Sequence, residues 1–112
     1  MEPASRLERD ILDAPTTQAL LYTDGMGRAV RAHLKAGDAG ELAEALDVAA
    51  CAITSFGERR FGALQVGALR FRDGWVLFGP RGGGAVVLVT AADVNLGMSL
   101  IALRSLITEG TA

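Results

Sequence analysis

Glu41-Leu-Ala-Glu-Ala-Leu-Asp-Val-Ala-Ala-Cys-Ala-Ile-Thr-Ser-Phe56, within the stretch Asp38 to Phe56, reads as one long helix. Leu42, Leu46, Ala49, Ile53 and Phe56 recur at steps of three and four and so share one stripe. Ala45, Val48 and Ala52 widen the apolar face on one side, Ala43 and Ala50 on the other, and charge is confined to Glu41, Glu44 and Asp47. A helix that is apolar nearly all round must be covered on more than one side. The small side chains at 45, 49 and 52 admit a second helix at close range. The stretch that follows, Phe61-Gly-Ala-Leu-Gln-Val-Gly-Ala-Leu69, holds no charge before Arg70. Helix and strand are therefore expected to face another copy of the chain. Ala45, Val48, Ala49, Ala52, Phe56, Leu64, Val66 and Leu69 are the residues expected at this dimer or partner interface.

Outward from this stretch, Ser5 is a candidate cap for a short helix with Leu7, Ile11 and Leu12 inward and Arg6, Glu8, Arg9 and Asp10 facing water, ended by Pro15. Gln18 to Thr23 reads as a strand, Asp24-Gly25 as a hairpin turn, and Arg28 to Leu34 as a returning strand at a sheet edge. Beyond the central helix, Gly57 to Arg60 reads as a polar turn and Phe61 to Arg72 as the third strand. Asp73-Gly74 turns into Trp75 to Phe78, Gly79 to Gly84 turns again, and Ala85 to Thr90 is the fifth strand. Asp93 or Asn95 caps a last helix with Leu96, Leu100, Leu103 and Ile107 on one stripe and Ile101 beside it. The order is α-β-β-α-β-β-β-α. Short turns require antiparallel neighbours. Leu20-Leu21, Val76 to Phe78 and Val86 to Val89 are apolar on both faces, so both faces must be covered. The expectation is an α/β sandwich (α+β): a five-stranded antiparallel sheet, the terminal helices sharing one face and the central helix on the other.

The 112 residues, half of them apolar, suffice for one domain spanning 1–112 with its own core. A net charge of −2 with no basic block argues against a nucleic-acid surface. Cys51 is the only cysteine, so the chain can close no disulfide of its own, and a reducing cytoplasm is the expected location. The charged first ten residues do not fit a signal peptide, and runs such as Ala85 to Val89 are too short for membrane insertion.

No catalytic, cofactor-binding or metal-ligating constellation emerges. His33, the one histidine, falls on the edge strand among charged neighbours. Cys51 falls mid-helix between alanines and reads as a small buried apolar residue. One His and one Cys do not make the usual zinc set. Gly79-Pro-Arg-Gly-Gly-Gly84 lacks the Lys and the following helix that a phosphate loop needs, and reads as a hairpin turn. Arg70 and Arg72 beside Trp75 read as a solvated strand end. No cofactor is expected. An alternative reading, a small-molecule or signal sensor of PAS-like or profilin-like type, has only Gln65, Thr90 and Tyr22 to offer as polar groups on the inner strands.

With the order laid out, the chain resembles the roadblock family, the small domains shared by a dynein light chain and bacterial MglB-type regulators of Ras-like GTPases. The likeness is carried by Ala19-Leu-Leu-Tyr-Thr-Asp-Gly25, by Glu41-Leu-Ala-Glu-Ala-Leu46 and by Ala91-Ala-Asp-Val-Asn-Leu-Gly97, and it runs from about Leu7 to Ile107. The glycine-rich Gly79 to Gly84 departs from the family pattern. The resemblance implies a homodimer with central helices side by side and third strands paired edge to edge. It also implies a scaffold or regulator of a small Ras-like GTPase without catalytic chemistry of its own.

Overall fold

The structure is a computed structural model that describes residues 5–24, 28–35 and 57–111. The elements are α1 (Arg6–Asp13), β1 (Thr17–Thr23), β2 (Ala29–Leu34), a helical stretch at residues 57–61 (α2), β3 (Gly67–Phe71), β4 (Gly74–Arg81), β5 (Gly84–Ala91) and α3 (Leu96–Thr111). The five strands form one sheet in the order β2-β1-β5-β4-β3, every neighbouring pair antiparallel. Three of these pairs are hairpins. The fourth, β1 with β5, joins distant parts of the chain and puts the most apolar strands in the middle.

Leu20, Tyr22, Leu77, Val86 and Leu88 project from one face of the sheet and pack with Ile11 of α1 and with Leu103 and Leu106 of α3. The terminal helices thus share a face, as the sequence predicts. On the other face Leu21 and Val87 are buried among Ala29, Ala32, Val76, Phe78 and Val89. The helix expected over Asp38 to Phe56 lies outside the described residues.

Both α1 and α3 begin on expected caps. The Ser5 hydroxyl accepts from the Glu8 N–H at 3.1 Å, and Asn95 Oδ1 accepts from the Met98 N–H at 3.1 Å, so Asn95 rather than Asp93 is the cap. Several expectations need correction. Gly57 to Arg60 is not a turn: residues 57–61 are helical, and Gly62 ends them with φ +93° and an N–H bond to the Glu58 carbonyl at 3.0 Å. That is the left-handed helix stop glycine provides without steric cost. The third strand consequently starts at Gly67 rather than Phe61.

The glycine-rich run is mostly strand. Gly79, Pro80 and Arg81 belong to β4, and the turn is only Gly82-Gly83, with Gly82 at φ +59°. A single positive φ at the first central position is the type II′ pattern, which suits the twist of a hairpin. Pro80 is tolerated because β3 reaches only to Phe78 on that side, so no ladder donor is lost. Glu8 does not face water; it is 2% exposed. On α3 the fully buried residues are Leu103, from the expected stripe, and Leu106; Leu96, Leu100 and Ile107 are partly buried, and Ile101, beside the stripe, is 64% exposed.

Candidate functional site

β3 ends the sheet, and among the described residues no strand pairs with its outer edge. Leu69, opposite Val76, projects from the face away from α1 and α3 and is half-buried. Phe71 on the same face is 57% exposed. An open edge carrying apolar side chains is a template for another strand. Charge occurs on its opposite side, where Arg70 lies over the Trp75 ring at 5.4 Å and its guanidinium donates to the carbonyls of Phe71, Arg72 and Gly74. Arg70 is therefore held within its own hairpin.

Of the residues expected at the interface, Leu64 and Val66 are half-buried in the segment entering β3, and Val66 packs against the core under α3. Leu69 is on the edge strand itself. Ala45, Val48, Ala49, Ala52 and Phe56 lie outside the described residues. Phe71 and Phe61, the latter 82% exposed, extend the apolar surface beyond what the sequence suggests. The signal was available, since Phe61 opens the charge-free run and Phe71 lies two residues beyond its end.

A second cluster was not foreseen. Tyr22 stands between two guanidinium groups, Arg31 at 4.6 Å and Arg81 at 4.9 Å from its ring centre. Arg31, directly across from Tyr22, donates to Glu8 Oε1, and His33 Nε2 lies 3.5 Å from the same oxygen. Arg81 donates to the Leu106 carbonyl at 2.9 Å. Burial, and then the charge of Glu8, push the Tyr22 hydroxyl above its ordinary pKa of 10.0. Burial works against the charge on Arg31, but its hydrogen bond to Glu8 and the carboxylate charge outweigh this and hold it above its ordinary value. The Tyr22 hydroxyl and Arg31 Nε are buried without a hydrogen-bond partner among the described residues. The cluster ties α1, β1, β2, α3 and the β4–β5 hairpin together.

Gln65, Thr90 and Tyr22 do not converge. Tyr22 pairs with Val86 at one end of β5, Thr90 pairs with Thr17 at the other, and Gln65 is exposed outside the strands. No group of three or more His, Cys, Asp or Glu with metal-site geometry occurs among the described residues. No described helix is long and apolar enough to cross a membrane.

No protein-family model and no curated protein matches the sequence. Solved structures do match the fold. Myxococcus xanthus MglB superposes with a TM-score of 0.76 at 13% identity, over 94% of this chain and 85% of that one. The gliding protein MglB from Thermus thermophilus gives 0.71 at 18% identity, over 92% and 87%. A Roadblock/LC7 domain from Streptomyces avermitilis gives 0.71 at 12% identity, over 96% and 94%.

Proposed function

From the roadblock fold that the chain shares with these structures, we propose that it is a homodimeric interaction module of one domain over 1–112. In this reading it scaffolds or regulates a small Ras-like GTPase in the cytoplasm. It contributes protein–protein contacts to signalling rather than catalytic chemistry, and it takes neither nucleic acid nor a place in the membrane. The observation that carries the proposal is the outer edge of β3, which pairs with no strand among the described residues and carries Leu69 and Phe71 on one face. Two such edges paired about a two-fold axis would join the two five-stranded sheets into one. Leu64, Val66 and Leu69 would line that junction, and Ala45, Val48, Ala49, Ala52 and Phe56 of the central helix would complete it. The likeness to two MglB structures supports a regulatory partner, and the GTPase follows from the family resemblance.

Two measurements test the reading. Light scattering of the full chain should return a multiple of the chain mass, and Val48→Glu should lower it while circular dichroism stays unchanged. A carboxylate left unpaired in a dry interface costs several kcal/mol, of the order of ~3. A pull-down from source-cell lysate should retain a small GTPase whose recovery differs between GDP and a GTP analogue. A monomeric wild type, or a GTPase retained equally by both nucleotides and by Val48→Glu, defeats the proposal.

A further inference from the structure

α3 is apolar on two sides. Leu103 and Leu106 are buried against the sheet, while Met98 and Ile101 on the opposite side are each 64% exposed. Met98, Ile101, Ser105 and Thr108 follow one another at steps of three, four and three, the spacing of a coiled-coil seam. The two polar members are already satisfied. The Ser105 hydroxyl donates to the Ile101 carbonyl and the Thr108 hydroxyl to the Arg104 carbonyl, both at 3.0 Å, so covering them strands no donor. Leu7 of α1 borders the same hollow as Ile101, Ser105 and Glu109, and a helix docked there would cover it too.

The flanks of this seam identify the occupant. Arg104 directly precedes the seam residue Ser105, and Glu109 directly follows the seam residue Thr108. In a parallel helix pair, the position before one seam residue faces the position after the next seam residue of the other helix, and charges placed there set partner and orientation. Arg104 and Glu109 have that offset and opposite sign, and neither forms an ion pair among the described residues. A face that carries both halves of its own charge match is self-complementary, which a two-fold contact requires.

We propose that the outer face of α3 is a self-association surface on which a second copy of the chain lays its own α3 in parallel. Met98 and Ile101 form the seam, and Arg104 of each copy meets Glu109 of the partner subunit. This surface is on the helix-covered face of the sheet, distinct from the β3 edge, so both contacts can be made at once; with their two-fold axes perpendicular and intersecting, they close at four chains.

The test is the mass of the full chain by sedimentation velocity, with circular dichroism as the check on folding. Ile101→Glu should halve the wild-type mass and weaken association roughly tenfold or more. Met98→Glu should act in the same direction and decides the matter should Ile101→Glu lose its helical signal. Arg104→Glu and Glu109→Arg should each weaken association singly, and the two together should restore it. The Ile101→Glu effect should persist in a Val48→Glu background, which separates this contact from the dimer proposed above. A single-chain wild-type mass at the highest soluble concentration overturns the proposal. So do seam variants of unchanged mass, or a double charge variant as weak as the single ones.

Discussion

The Glu8 carboxylate of α1 is buried against the guanidinium of Arg31 on edge strand β2. The pair links the N-terminal helix to the outermost strand on that side of the sheet. Because Glu8 is 2% exposed, its charge is tolerable only with a cation in hydrogen-bond contact. Arg31 holds that position by register: it lies opposite Tyr22, whose side chain projects toward α1.

Removing one partner should therefore cost more than removing both. Glu8→Ala leaves a partly buried guanidinium without its carboxylate and should destabilise the fold by about 2 kcal/mol. Glu8→Leu combined with Arg31→Leu should recover most of that loss, since neither charge is then stranded. Urea midpoints of the single and double variants measure the difference, and equal losses for single and double variants would argue against the pairing.

Tyr22 is the only tyrosine, so a phenolate absorbance titration reports on it alone. Its pKa should exceed the ordinary value of 10.0 in the folded protein and return to it in urea. The folded state then holds the proton more tightly than the unfolded state. The resulting stability is intact below pH 10.0 and is lost as pH rises from there through the folded value. Tyr22→Phe should abolish this alkaline loss at little cost to stability in neutral solution, because it also removes a buried hydroxyl that lacks a partner among the described residues.

The β4–β5 hairpin turn offers three neighbouring glycines with different demands. A Cβ at Gly84 would collide with the Thr23 carbonyl oxygen, so Gly84→Ala must force β5 away from β1. A loss of at least ~2 kcal/mol is expected. Gly82→Ala meets no atom but retains φ +59°, at a cost of ~1 kcal/mol. Gly83→Ala meets nothing within 4 Å at an ordinary φ and should be nearly neutral. Thermal or urea unfolding should rank the three in that order.

The same run bears on nucleotides. Its glycines are taken up by a strand and a two-residue turn leading into β5, with no helix N-terminus behind them. Calorimetric titration with GTP, GDP or ATP and magnesium should therefore give no heat beyond dilution. Micromolar binding of any of the three would reopen the phosphate-loop reading.

Local chemistry made much of this architecture readable in advance. Ser5 and Asn95 are helix caps because their side chains reach N–H groups two or three residues ahead. Asp73-Gly74 marks a tight turn for similarly local reasons. The apolar character of Leu20-Leu21 and of Val86 to Val89 already demanded cover on both faces of the sheet, whatever the cover might be. Other features depend on residues far apart in sequence. Only the tertiary structure inserts β5 between β1 and β4, and that placement makes Gly84 a contact of Thr23. Periodicity showed α3 to be apolar, but the sheet selected Leu103 and Leu106 and left Ile101 outside. Gly62 stops the helical stretch at residues 57–61 through its positive φ and its N–H bond to the Glu58 carbonyl, a geometry that the polar Gly57 to Arg60 window did not announce. Glu8 looked like one more charge on a solvated face until β2 brought Arg31 to it. A sequence window specifies which side chains prefer to be buried or capped; which partner meets them is decided by strand order and helix docking, where contacts are non-local.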